Sequence, residues 1–207
     1  MTHRDAPNAQ AAPPTPTHYE NLDAVLVAAR DMLADGVANR HAPAHTPTFA
    51  TSGPDGTPRL RTVVLRDFTP ADMQLRFHTD RRSGKITELQ ANPAAALHVY
   101  DREHKVQLQV SGRAALHMDD DVAAAAWAQS QPMSRICYQV TKAPGSVIED
   151  PGHAVQDPEQ NAAGSENFMA VILRIEALEW LFLDARGHRR ARFARDGDTW
   201  PGVWLVP

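Results

Sequence analysis

A single cysteine in 207 residues excludes a disulfide framework and a cysteine-rich zinc site. No apolar run approaches the roughly 18 residues that a membrane-spanning helix needs. The first residues hold no apolar stretch of the kind found in a signal peptide, so the expectation is a cytoplasmic protein without membrane contact. Basic charge is not in excess either. Lys and Arg number 21 against 25 Asp and Glu, a net charge of −4, so no broad positive field draws nucleic acid. Large apolar side chains are thinly supplied: the hydrophobic share is 43%, but much of it is alanine, so a core must rest on Val, Leu, Ile, Phe and four Trp. A chain of this length suits one domain and can bury roughly 70% of its unfolded surface.

Residues 1–16 carry four prolines among Ala, Asn, Gln and Thr, and they are expected to form a disordered tail ahead of one domain over 17–207. Thr17 and Glu20 have the spacing of a capping box. Leu22, Val25, Leu26, Ala29 and Leu33 then recur at helical spacing up to Gly36, which predicts a helix over 17–35 that Gly36 stops. From Thr46 the period changes to that of short strands, expected at 46–51, 59–67, 73–78, 94–100 and 105–117. Gly53-Pro54-Asp55-Gly56 and Asp196-Gly197 are turn signals. Short helices are expected at 83–91, 119–129 and 132–140, and residues 143–166 form a long irregular loop. Strands at 168–175, 177–183, 188–195 and 199–206 complete the chain. Many short antiparallel strands with helices at their edges predict a mainly β fold, a small barrel whose closure removes sheet edges.

Several motifs fail on inspection. Arg82-Ser83-Gly84-Lys85 resembles the end of a P-loop, but Thr79 stands at the earlier glycine position and Ile86 follows the lysine. His41 and His45 are separated by Pro43, and no metal set accompanies them. There is no GxGxxG, and Cys137, without a CxxC partner, is expected to be a buried small hydrophobe.

What remains is basic and amide side chains placed on strands or strand ends: Arg59–Asp67, Phe77–Lys85, and Trp180 followed by Arg186–Arg192. Singly, each could be a solvated edge that resists aggregation. Together they point to an anion. Ser83, Gly84 and Lys85 open a helix, where free N–H groups and the dipole favour negative charge. Arg61 and Arg66, five apart on one strand, would lie about 16 Å apart on opposite faces, so one ligand meets both only across a strand edge or with a second subunit.

The ordered set Arg61–Arg66, Phe77-His78-Thr79, Ser83, Lys85, Asn92-Pro93, Gln107 and Gly112-Arg113 resembles the pyridoxamine 5′-phosphate oxidase-like family of FMN-binding split barrels. Trp180, Arg186, His188, Arg190, Trp200 and the closing Leu205-Val206-Pro207 extend the likeness over residues 46–207. The resemblance implies a six-stranded split barrel with flanking helices, a homodimer with FMN at the subunit interface, and a flavin-dependent oxidoreductase acting on a small molecule. It further implies that Arg61, Ser83 and Lys85 hold the FMN phosphate and that Thr62, Val63, Val64 and Leu65 lie along the flavin. Arg66 would stand near both ring and substrate. His78, Thr79 and Gln107 would contact the cofactor, Trp180 and Arg190 would come from the partner subunit, and Arg186 and His188 would meet substrate. No catalytic acid–base pair and no metal site is indicated. The chain also departs from the family pattern. Trp127, Gln131 and Arg135 stand where the true oxidases carry the Tyr, Arg and Ser that hold substrate phosphate, and Gly84 replaces a second basic residue, for which Arg81 or Arg82 could substitute. Pyridoxal phosphate synthesis is therefore not expected, and a non-catalytic flavin- or haem-binding protein on the same fold is the alternative.

Overall fold

The computed structural model describes residues 15–154 and 164–207. The proposed tail lies almost wholly outside the described residues, as does the middle of the expected loop over 143–166.

Tyr19 sits in a short 3-10 turn, and the first helix, α1, runs Leu22–Ala38. It begins later than the sequence suggests because Asn21, not Thr17, caps it: Asn21 Oδ1 accepts from the Ala24 N–H at 2.9 Å. Gly36 does not stop the helix either. It is a buried notch inside α1, where an added Cβ would lie 2.6 Å from the Ala44 carbonyl.

Nine antiparallel strands follow: β1 (Thr48–Ser52), β2 (Pro58–Thr62), β3 (Leu65–Thr69), β4 (Gln74–Asp80), β5 (Ala94–Asp101), β6 (Val106–His117), β7 (Phe168–Phe182), β8 (Arg189–Ala194) and β9 (Gly202–Leu205). Three further helices are α2 (Gly84–Ala91), α3 (Asp121–Gln129) and the single turn α4 (Pro132–Arg135), which continues into a 3-10 turn at Ile136–Tyr138. The hydrogen-bonded order is β2-β1-β5-β6-β7-β4-β3, with β8 and β9 continuing from β7. Among the described residues the strands number nine, as many as the periodicity predicts, where the resemblance implies six, and the sheet is not closed.

The opening has a definite place. The single strand expected over Arg59–Asp67 is two strands, broken at Val63-Val64, and these two strands lie at opposite ends of the hydrogen-bonded path. Two linking residues span at most about 11 Å from Thr62 to Leu65. The sheet must therefore curl until its ends nearly meet, leaving a seam without ladder hydrogen bonds. This is the split of a split barrel, and Thr62–Leu65 form its lip.

One core fills the curl. Phe49, Leu75, Phe77, Leu108, Val110, Leu173 and Ile175 are each 0% exposed, and α1 adds Val25, Ala29 and Leu33. Strand alternation accounts for this: in β4 Leu75 and Phe77 point inward, so Arg76 and His78 point the other way. The two strands expected at 168–175 and 177–183 are one, bulged at Glu176, where the register against β6 jumps from Ser111–Ala177 to Gly112–Ile175. Cys137 is exposed, contrary to expectation, because the turn that carries it lies over the seam rather than in the core.

Candidate functional site

Lys85 projects from the first turn of α2. Its Nζ donates to Thr79 Oγ1 at 2.8 Å and to Ser83 Oγ at 3.0 Å, and both hydroxyl residues are buried. Ser83 occupies the N-cap position, yet its side chain makes no capping bond, so the first N–H groups of α2 stay open to an anion. No carboxylate lies within salt-bridge distance of Lys85 among the described residues. Burial, and then the charge of Arg61, hold its pKa below the ordinary lysine value.

Arg61 donates to Glu88 Oε2 at 2.6 Å and to Thr51 Oγ1, and Thr51 in turn donates to Glu88. Burial would raise the Glu88 carboxyl, but hydrogen bonds from Thr51 and Arg61 hold it below the usual range. Glu88 thus fixes the Arg61 guanidinium beside the α2 mouth. Because Arg61 is on β2 and Arg66 on β3, the seam and not a single strand relates them. Arg82 does not substitute for the basic residue missing at Gly84. It pairs with Asp80 at 2.6 Å and donates to the Val140 carbonyl at 2.9 Å, while Arg81 donates to the Glu166 carbonyl.

A cavity of about 410 Å³ opens beside this cluster. Thr62, Val63, Val64, Arg66, His78 and Lys85 form one wall, and Met133, Ser134, Cys137 and Tyr138 the other. The structure therefore brings together six residues that the sequence placed in one site. Val63 donates its N–H to the Pro47 carbonyl, and Val63 and Val64 lie outside both ladders, so main chain rather than a paired strand edge faces the cavity. A second cavity, of about 210 Å³, shares Arg66, His78 and Ser134 and adds Leu65, Arg76 and Gln131.

His78 Nε2 is buried without a hydrogen-bond partner among the described residues. Burial, then the charges of Arg76 and Arg66, bring its pKa down to about 4, so the ring is neutral at pH 7. The unfolded chain protonates this residue near 6.5 and the folded one only near 4, so stability is lost as pH falls through that window. Wild type is expected to lose on the order of 3 kcal/mol across it relative to a His78→Gln variant. Urea titrations of both at a series of pH values check this, and parallel curves count against it. Tyr138 is pushed up to about 12 by burial, and its ring packs edge-on against Phe168 at 5.2 Å.

The remaining expected residues do not line either cavity. Gln107, Leu181 and Arg190 lie in one row across β6, β7 and β8 on the outer face of the sheet, with Arg190 paired to Glu179 at 2.5 Å. Trp180 is on the inner face, 1% exposed and edge-on to Tyr19 at 4.7 Å, so its indole belongs to the core of its own chain. Arg186 pairs with Asp184, whose carboxyl it holds far below the usual range, and the Asp184 N–H donates to His188 Nδ1 at 3.0 Å. Of the three departures, Trp127 packs on Phe168, and Arg135 lies 4.9 Å over Trp127 and donates to its carbonyl, while Gln131 lines the smaller cavity. Sequence reasoning missed Glu88, Thr51, Arg76, Ser134 and Tyr138. Glu88 was within reach, three residues after Lys85 on the same helix face, and Arg76 sits two before His78 on one strand face.

The model of the "Pyridoxamine 5'-phosphate oxidase, FMN-binding domain" matches residues 28–118. A pyridoxine/pyridoxamine 5′-phosphate oxidase of Myxococcus xanthus is 30% identical over 178 residues, covering 76% of this chain and 79% of that protein. A dihydrophenazinedicarboxylate synthase of Pseudomonas chlororaphis is 29% identical over 165 residues, 77% of this chain and 73% of that protein. Among solved structures, a pyridoxamine 5′-phosphate oxidase-related, FMN-binding protein of Nostoc punctiforme superposes with a TM-score of 0.72 at 24% identity, over 88% of this chain and 96% of that one. No helix among the described residues is long and apolar enough to cross a membrane. With the seam, its flanking cations and these likenesses in agreement, the chain belongs to the pyridoxamine 5′-phosphate oxidase-like FMN-binding family.

Proposed function

We propose that the protein binds FMN in the larger cavity and is an oxidoreductase acting on a small molecule. The observation that carries this reading is Lys85: a half-buried ammonium held by two hydroxyls at an open helix mouth, with no carboxylate within salt-bridge distance among the described residues, at the end of a cavity lipped by main chain outside both ladders. Those residues fit a phosphate joined to a flat polar ring. Lys85, Ser83 and the α2 N–H groups would take the phosphate, with Arg61 held beside them by Glu88. Thr62–Leu65 would lie along the ring, and Thr79 keeps the Lys85 ammonium aimed. His78, neutral at pH 7, offers a nitrogen without adding charge. When bound, FMN supplies the two-electron redox chemistry; the chain supplies binding, orientation and exclusion of water.

The proposal extends to a homodimer. The outer row Gln107–Leu181–Arg190 would face the cofactor of a second protomer, with Arg186 and His188 near its substrate. Trp180, being buried, is left out of that contact. Oxidation of pyridoxamine phosphate is not part of the proposal, because Trp127 and Arg135 are engaged with each other and with main chain.

The test is a visible absorption spectrum of the purified protein with mass spectrometry of its released ligand. Flavin absorbance and the mass of FMN are expected. FMN added at about 100 times its Kd should stabilise the fold by about 2.7 kcal/mol. A colourless protein whose melting temperature is unmoved by excess FMN would overturn the reading. The same locking of Trp127 and Arg135 favours a second reading, a flavin- or haem-binding protein without turnover. A flavin bleached by dithionite but by no metabolite in a broad screen, or a released haem, would favour it.

A further inference from the structure

We propose that the smaller cavity is a carboxylate pocket for a single-ring substrate, with Arg76 as its specificity-determining cation. The inference rests on the reading of the larger cavity as the flavin site only for its role in turnover; the pocket itself is argued from its own walls.

Arg76 and His78 share the outward face of β4, and each carries a nitrogen, Arg76 Nε and His78 Nε2, that is buried without a hydrogen-bond partner among the described residues. A buried polar nitrogen left unpaired is unfavourable, and two of them in the wall of one cavity indicate a ligand that completes them. The charges point to an anion. Arg66 and Arg76 both line the cavity, and no Asp or Glu does. Asp67 approaches Arg76 only at 3.7 Å and is itself 44% exposed. Two guanidiniums offset by one loose carboxylate leave about one positive charge, which a monoanionic carboxylate balances and a phosphate dianion exceeds. Gln129 Oε1 accepts from Arg76 Nη2 at 3.1 Å, which orients the planar fork that a carboxylate engages in bidentate fashion.

Size agrees. A cavity of about 150 Å³ accommodates benzene, so about 210 Å³ leaves room for one ring and its carboxylate. Arg66, His78 and Ser134 line both cavities, so a ring anchored at Arg76 points its far edge toward the larger one.

The test uses the full chain saturated with FMN, titrated with benzoate, phenyl phosphate and benzamide by calorimetry and by the flavin difference spectrum. Benzoate is expected to bind most tightly of the three. Arg76→Gln should weaken benzoate about tenfold or more while changing FMN affinity less than about twofold, and Arg76→Lys should recover part of the loss. Phenyl phosphate or benzamide binding as tightly as benzoate would overturn the assignment, as would Arg76→Gln binding benzoate like wild type. Should Arg76→Gln not fold, Gln131→Glu, at an exposed position in the cavity wall, decides. Repulsion should weaken benzoate about tenfold, and unchanged affinity would overturn the proposal. If the protein takes up no FMN, the same titrations are read by thermal shift. Benzoate stabilisation lost in Arg76→Gln then sustains the pocket although the flavin reading has failed, and wild type unmoved by benzoate in either form overturns it.

Discussion

Replacing Lys85 by methionine is expected to raise the melting temperature of the cofactor-free protein while lowering its affinity for FMN about a hundredfold. The two effects share one cause. In the free protein the half-buried ammonium rests on Thr79 and Ser83 within reach of the charge of Arg61, with no carboxylate at salt-bridge distance among the described residues, and its burial disfavours the charged form. Methionine fills similar space without that charge, and Thr79 and Ser83, 3.3 Å apart, can bond to each other. A gain of roughly 1 kcal/mol would appear as about 2–4 °C in a chain of this size. On the other side, a charge-assisted bond to phosphate contributes about 1.5–3 kcal/mol, whose upper end is the hundredfold. The linkage has a definite sign. A phosphate favours the protonated lysine, so the wild-type affinity should fall as pH rises through the depressed pKa of free Lys85, and the variant should lack that fall. Flavin-fluorescence titrations across pH measure both. Equal affinities would remove Lys85 from the phosphate seat.

Gly112→Ala is expected to destabilise the fold by at least about 3 kcal/mol, in the manner of an overpacked core position. The bulge at Glu176 drives the main chain of β7 against Gly112, so an added Cβ would stand 1.9 Å from the Arg174 carbonyl oxygen, far inside any real contact. Neither strand can retreat, because β6 and β7 are the two longest strands and pair over most of their length. Gly84→Ala is the matched control. Its Cβ would meet nothing nearer than Glu88 Oε1 at 4.0 Å, and alanine is the better helix residue, so stability should be unchanged or rise by about 0.5–1 kcal/mol. Thermal and urea unfolding of the pair distinguishes a steric requirement at Gly112 from a general intolerance of substituted glycine. Equal midpoints for Gly112→Ala and wild type would refute the close approach.

Turn chemistry was legible for a local reason. Gly56 at φ 78° and Gly197 at φ 59° sit in the left-handed region that glycine favours, as the two turn motifs implied. Gly36 was misread because the feature that requires it, Ala44 packed against α1, comes from a later segment. The break at Val63-Val64 was invisible for a similar reason. Both residues favour strands, and only the curl of the sheet denies them a partner. The motif Gly112-Arg113 was visible as a pattern, but its steric basis is a bulge sixty-odd residues away. In the site, Arg61–Arg66, His78 and Lys85 were identified as a set, and six of the expected residues share one cavity. Trp180 shows the opposite case: spacing alone does not say whether an indole faces outward or into its own core, whereas the register against Leu108 and Ala191 does.

By itself, then, the sequence determined the class of fold, most of the strands, and the kinds of side chain that could grip an anion. These follow from local periodicity, turn stereochemistry and residue type, which act over a few positions. Only the tertiary structure decided where the barrel splits, which cations are neutralised and which remain available, and that Arg76 belongs to a cavity. Those properties depend on which distant segments meet. Glu88 pairs with Arg61 and Asp80 with Arg82 while Lys85 makes no salt bridge among the described residues, and charge balance of that kind is a property of the folded neighbourhood rather than of any stretch of chain.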